Sequence, residues 1–218
     1  MFDVTVFGSN MNWLAHLFLS EQNTDHQLGN LLCDPCKGHA FEGASDAFKQ
    51  GLKMHKSIDA FTDAHACFLQ SKSRLTKKGH LKGVVIDLTY DVFLTQCWDE
   101  YCDRDLNTFL DDFYHTAPMA LTSYPPQARA FVEKLIQVDH LRQYHNLDDL
   151  EETFKRVDKR LSANVLKRES TLDYLPLIEQ NFSLLKNDFK TFFPQLLSHV
   201  QTLSDNSKLG HWQPLTKS

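Results

Sequence analysis

The chain has 218 residues, 42% of them hydrophobic and 16 of them phenylalanine, with a formal net charge of −5 at pH 7; this suits one large domain with a sizeable core and argues against both disorder and a general nucleic-acid binder. It holds only 8 glycines and 7 prolines, and none of the glycines falls within residues 84–209. Missing turn punctuation disfavours an all-β chain, and without G-x-G-x-x-G or G-x-x-x-x-G-K-[ST] the dinucleotide and P-loop folds are disfavoured too.

In chain order, residues 12–20 open with Asn12 as a cap and bring Trp13, Leu14, Leu17 and Phe18 onto one helical face. Residues 29–38 read as a short segment broken at Pro35. Ser45 caps the next helix, where Phe48, Leu52 and His55 recur at helical spacing and lead to Asp59 and Asp63. A helix follows Gly83, with Leu88 and Asp91 on one stripe and Asp87, Tyr90, Leu94 and Trp98 on another, and frays near Tyr101. Asp105 begins an amphipathic run through Leu106, Phe109, Leu110 and Phe113, interrupted at Pro118 and closed by Tyr124-Pro125-Pro126. Three more helices are centred on Leu135, on Phe154 and over residues 175–193, the last ended by Pro194. The reading is an all-α protein with one helical-bundle domain over residues 11–204, a short extension at 1–10, and a polar, mobile tail at 205–218. No apolar run reaches the ~18 to 20 residues of a membrane span and no leader is evident, so a soluble cytoplasmic protein without a membrane partner is expected. Cys33, Cys36, Cys67, Cys97 and Cys102 are then expected to be reduced thiols.

Chemistry concentrates in the first half. His55-x3-Asp59-x3-Asp63 stacks donors one helical turn apart, and Asp87-x3-Asp91 repeats the spacing on a second helix. Two facing helices of this kind can converge on one divalent cation. Asp34 adds a carboxylate at a glycine-flanked break. His16 sits among leucine and phenylalanine, as a ligand or as a hydrogen-bonded core histidine. Asp63 equally suits a helix cap. Asp91, amid apolar neighbours, needs a partner, because an unpaired buried carboxylate is costly. Cys33-Asp34-Pro35-Cys36 has no second pair and no βαβ context, and no G-x-S-x-G elbow exists, so thiol and serine catalysis are disfavoured. Lys72, Arg74, Lys77, Lys78 and Lys82 form a basic stretch, readable as a solvated helix end or as a dock for an anionic partner.

Four stretches together carry a family resemblance: Met11-Asn12-Trp13-Leu14-Ala15-His16-Leu17; Gly29-Asn30-Leu31-Leu32-Cys33-Asp34 with Lys37-Gly38; Gly51-Leu52-Lys53-Met54-His55-Lys56-Ser57-Ile58-Asp59 with Thr62-Asp63; and Asp87-Leu88-Thr89-Tyr90-Asp91-Val92-Phe93-Leu94. In order and spacing the sequence resembles the bacterial acyl carrier protein phosphodiesterases, most specifically up to Trp98 and more loosely to Phe193. The resemblance implies an HD-domain-like, all-helical metal phosphohydrolase. Its members use a divalent cation, usually Mn2+, to release phosphopantetheine from the serine of holo acyl carrier protein. Lys56 stands where the family carries arginine, and Val92 where it carries histidine.

Residue chemistry and resemblance together lead to Asp34, His55, Asp59 and Asp87 as the main metal ligands, with Asp91 and His16 as further or supporting ligands. Lys56 is expected to face a phosphate oxygen and Asp63 to orient the attacking water. Lys72, Arg74, Lys77 and Lys78, with the family-implied pair Lys159 and Arg160, are expected to bind the acidic carrier protein. The competing readings are hydrolysis of a small nucleotide or phosphoester, and a non-catalytic helical protein that binds carrier protein. The glycines near Asp34 and His55 are read as flexible backbone beside the site.

Overall fold

Local caps set where most of the helices begin. A computed structural model describes residues 13–75 and 79–214 of the chain. Its helices are α1 (Trp13–Phe18), α2 (Thr24–Leu31), α3 (Asp46–Ala64), α4 (Ala66–Arg74), α5 (Lys82–Gln96), α6 (Trp98–Tyr101), α7 (Leu106–Ala120), α8 (Pro126–Gln137), α9 (Leu147–Asp158), α10 (Ala163–Leu166) and α11 (Leu175–Gln201). Ser45 accepts from the Phe48 N–H at 3.1 Å, and Asp105 from Asn107 and Thr108, as their positions predict. Pro126 occupies the first turn of α8, where its missing N–H costs nothing. Among the described residues there is no strand, only an isolated bridge between Cys102 and Trp212. The protein is a single all-α domain, and no helix among the described residues is long and apolar enough to cross a membrane.

Three expectations about the chain's course are corrected. α2 starts at Thr24, capped by Asn23, well before Gly29. α7 runs through Pro118, and α11 runs through Pro194 to Gln201. An internal proline costs about 3 kcal/mol, but Leu196, Leu197 and Val200 beyond Pro194 are buried. Each such side chain contributes about 1.5–3 kcal/mol when removed from water, so continuing α11 wins. The polar tail also packs against the rest of the chain as far as Gln213, whose N–H donates to the Tyr101 carbonyl at 2.8 Å. His211 and Trp212 are buried and both donate to the Phe18 carbonyl, at 2.8 and 3.1 Å.

Helix α5 is the centre of the molecule. All ten residues from 85 to 94 are buried, apolar on most sides but with Asp87, Thr89 and Asp91 among them. α1, α4, α9 and α11 pack around it, and α2 and α3 form the tightest pair. That pair depends on glycine. A Cβ on Gly29 would stand 2.1 Å from the Phe48 carbonyl oxygen, and one on Gly51 would stand 2.1 Å from that of His26. These glycines lie inside helices and allow close backbone contact, so the expectation of flexible backbone fails for them. Positive backbone angles occur at Lys37, Gly38 and Gly43, in the turns between α2 and α3, and at Asp139 after α8.

Candidate metal centre

α1 has six residues, too few to be stable alone. Its first N–H groups, on Leu14 and Ala15, donate to the Asp91 carboxylate at 3.2 and 3.1 Å. α1 is thereby fixed against α5, and His16 is held fully buried. On α3, His55 and Asp59 lie one turn apart on the face toward α1 and α2. The His16 and His55 rings stack, with centroids 4.1 Å apart.

Asn30, at the end of α2, orients both rings. Its side-chain N–H groups donate to the His16 carbonyl at 2.8 Å and to Ser20 Oγ at 3.0 Å. Its Oδ1 therefore faces His16 Nδ1, 2.8 Å away, and can only accept. The Asn30 backbone carbonyl lies 2.8 Å from His55 Nδ1 and likewise only accepts. Both imidazoles must carry a proton on Nδ1, which turns both Nε2 atoms inward. This is how a protein prepares metal-binding histidines. Asn30 was not singled out as functional by spacing. A fully buried amide between Leu28 and Leu31 is the signal that could have found it.

The inward atoms converge. His16 Nε2 lies 3.3 Å from Asp59 Oδ1, and His55 Nε2 lies 3.1 Å from Asp59 Oδ2 and 3.5 Å from Asp34 Oδ1. His16, His55 and Asp59 each present a ligand atom within 4.8 Å of the others. Asp34 is placed by the turn after α2, where Lys37 N–H donates to the Asp34 carbonyl and Gly38 N–H to that of Cys33.

The electrostatics call for positive charge here. Burial alone would raise the Asp59 carboxyl, but His16 and His55 hold it below the ordinary carboxylate range. Burial alone would lower His55, yet its hydrogen bonds to Asp34 and Asp59 bring it up to about 9. His16 is pushed down, by burial first and then by the His55 charge. Asp87, buried on α5, has no hydrogen-bond partner on either oxygen. Burial, then the charges of Asp59, Asp63 and Asp91, push it well above its ordinary value. Two imidazole nitrogens and several carboxylate oxygens, some of them orphaned, fit a divalent cation of hard to borderline character.

The other residues singled out from sequence are distributed as follows. Asp91 has both oxygens engaged at the start of α1 and stands outside the converging atoms. Lys56 is exposed and donates to the Gly38 carbonyl at 2.9 Å. Asp63 is about half exposed, 4.0 Å from Lys72. Arg74 is held by both oxygens of Asp188, at 2.7 and 3.0 Å. Lys77 and Lys78 lie outside the described residues. Lys159 and Arg160 follow α9 in an exposed turn. Val92 is fully buried in α5. The cysteines are free, and burial pushes the Cys33 thiol up to about 12, away from thiolate chemistry.

The family model for acyl carrier protein phosphodiesterase matches residues 11–196, a span that includes every residue of this cluster. The chain belongs to the acyl carrier protein phosphodiesterase family. Three relatives bearing that name mark the distance within it. One from Salmonella paratyphi A is 24% identical over 198 residues, covering 87% of this chain and 97% of the relative. One from Yersinia enterocolitica is 25% identical over 196 residues, covering 88% and 98%. One from Klebsiella pneumoniae is 24% identical over 201 residues, covering 91% and 100%. No solved structure matches the chain. The acyl carrier protein phosphodiesterase family thus accommodates this chain over nearly the full length of its members.

Proposed function

We propose that this protein is a cytoplasmic, metal-dependent acyl carrier protein phosphodiesterase that hydrolyses 4'-phosphopantetheine from holo acyl carrier protein, leaving the apo form. The observation that carries the reading is the convergence of His16, His55 and Asp59, with the partnerless carboxylate of Asp87 near enough to feel the Asp59 charge, in a chain of this family. Asp34, His55, Asp59, Asp87 and His16 hold the cation, which is Mn2+ by the family's habit and compatible with a mixed nitrogen and oxygen donor set. When bound, such a cation neutralises phosphodiester oxygens and makes hydroxide accessible near neutral pH. Asn30 fixes both imidazole orientations, and Asp91 fixes α1.

Lys56 uses one of its three N–H donors on Gly38, leaving two for a phosphate oxygen. Asp63, at the open edge of the same face of α3, orients the attacking water. Lys72, Lys77, Lys78, Lys159 and Arg160 meet the acidic carrier protein. Arg74 adds charge to that field while its fork is occupied by Asp188. Incubation of purified protein with holo carrier protein and Mn2+, followed by mass spectrometry, tests the activity. Loss of the phosphopantetheine mass, abolished by a chelator, is expected. Hydrolysis of small phosphoesters with the carrier protein left intact would instead support the small-substrate reading.

A further inference from the structure

A second group of buried polar atoms without partners lies away from the metal cluster, where α9 and the short 3-10 helix His140–Arg142 meet the start of α1. Here the fully buried Tyr144 hydroxyl, Arg156 Nε and His140 Nδ1 have no hydrogen-bond partner. All three residues line one partly open cavity of about 10 Å³, with Trp13, Thr153 and Arg160 around it. A space of that size admits about one oxygen atom.

The charge around the cavity is one-sided. The rest of the Arg156 guanidinium is fixed by neutral acceptors, Gln143 Oε1 at 2.6 Å and Thr153 Oγ1 at 2.8 Å. Arg160, in the turn just after α9, lines the same cavity. Neither arginine forms an ion pair among the described residues. Burial and the charges of Arg156 and Arg160 push His140 down to about 4, so it is neutral near pH 7. Asp91 is near enough for Tyr144 to feel its charge, but its oxygens are committed to Leu14 and Ala15. A water molecule would satisfy some of these groups and leave the cationic excess uncompensated; an anionic oxygen answers both.

We propose that this cavity is an anion site that takes one oxygen of a phosphate-class anion on Tyr144 Oη and Arg156 Nε, with Arg160 at its mouth gripping a second oxygen. Its lining shares no residue with the His16, His55 and Asp59 cluster; Arg160 alone also belongs to the proposed carrier-protein surface, and the anion site stands without that role.

Inorganic phosphate is the probe, and the measurements are thermal unfolding and calorimetric titration. Both are made in chelator, to silence the metal centre, and at constant ionic strength against chloride. Phosphate well above its Kd should raise the wild-type Tm by several degrees, climbing with the logarithm of its concentration, and titrate calorimetrically to a saturable site. Tyr144→Phe removes only the unpartnered hydroxyl and keeps the ring. It should fold as well as wild type and bind phosphate about tenfold more weakly, the loss of one hydrogen bond to a charged group. Arg156→Gln should lose the phosphate effect altogether. If Arg156→Gln does not fold, Tyr144→Phe decides. Absence of a phosphate-specific rise in wild type, as for a cavity that holds water only, would overturn the proposal. An unchanged Kd in Tyr144→Phe would overturn it too.

Discussion

Asn30 is where one side chain has the widest consequences. Its amide and its backbone carbonyl fix the protonated nitrogen of two stacked histidines. Asn30→Ala removes the side-chain anchor of His16 while leaving His55 bonded to the backbone. Mn2+ affinity, measured by calorimetric titration, should fall by about 10- to 100-fold; an unchanged Kd would show that packing alone orients His16. The neighbouring residues show what the sequence can and cannot convey at this scale. His55 and Asp59 were legible because a spacing of four puts them on one helix face whatever the fold. Asn30 was not, because its role exists only when α2 approaches α1 and α3. Asp91 was legible as a buried carboxylate in need of a partner, but its partner is a pair of N–H groups 76 and 77 residues away in sequence, which no local pattern announces.

Helix starts divide by the same distinction. α3 and α7 are capped by the adjacent Ser45 and Asp105 and could be read from sequence. The central α5 has no local cap. Instead Glu169, about ninety residues away, accepts from His80 N–H at 2.8 Å, from Leu81 N–H at 2.9 Å and from the Tyr174 hydroxyl. Gly79 makes room for it, since a Cβ there would meet Glu169 Oε1 at 2.0 Å. Burial alone would raise the Glu169 carboxyl, but the Tyr174 hydroxyl and these two N–H groups hold it below its ordinary value. A carboxyl with a depressed folded value contributes stability above its unfolded value and loses it as pH falls through the folded one. Glu169→Ala should therefore destabilise the protein by about 1.5–3 kcal/mol near pH 7. The difference should shrink progressively below about pH 4.3. Denaturant unfolding at pH 7, 5 and 3 checks this, and a difference that stays constant across those values would contradict the ionised cap.

For the molecule as a whole, helical content and the single domain were legible because hydrophobic periodicity and scarce turn residues are properties of the entire chain. The courses of α7 and α11 through Pro118 and Pro194 were not, since burial of distant side chains overrode a local rule. Nor was the docking of His211 and Trp212 on Phe18, which fastens this segment to the last residue of α1. Charge also acts at this scale. The protein carries −5 overall, so the proposed docking of an acidic carrier protein would rely on local cations such as Lys72 against a repulsive background. Salt screens such steering, with a Debye length of about 10 Å at 0.1 M. Turnover of carrier protein should fall steeply between low and moderate salt, while hydrolysis of a small phosphodiester hardly changes; equal salt sensitivity would remove the docking role. We propose that a divalent cation held among His16, His55, Asp59 and their neighbours makes this fold a phosphodiesterase. The most direct test is the conversion of holo to apo carrier protein by wild type and Asp59→Ala in saturating Mn2+, followed by mass spectrometry. Asp59→Ala should be slower by at least about 100-fold, or about 2.7 kcal/mol of lost transition-state stabilisation. Equal turnover by the two proteins would contradict the proposal.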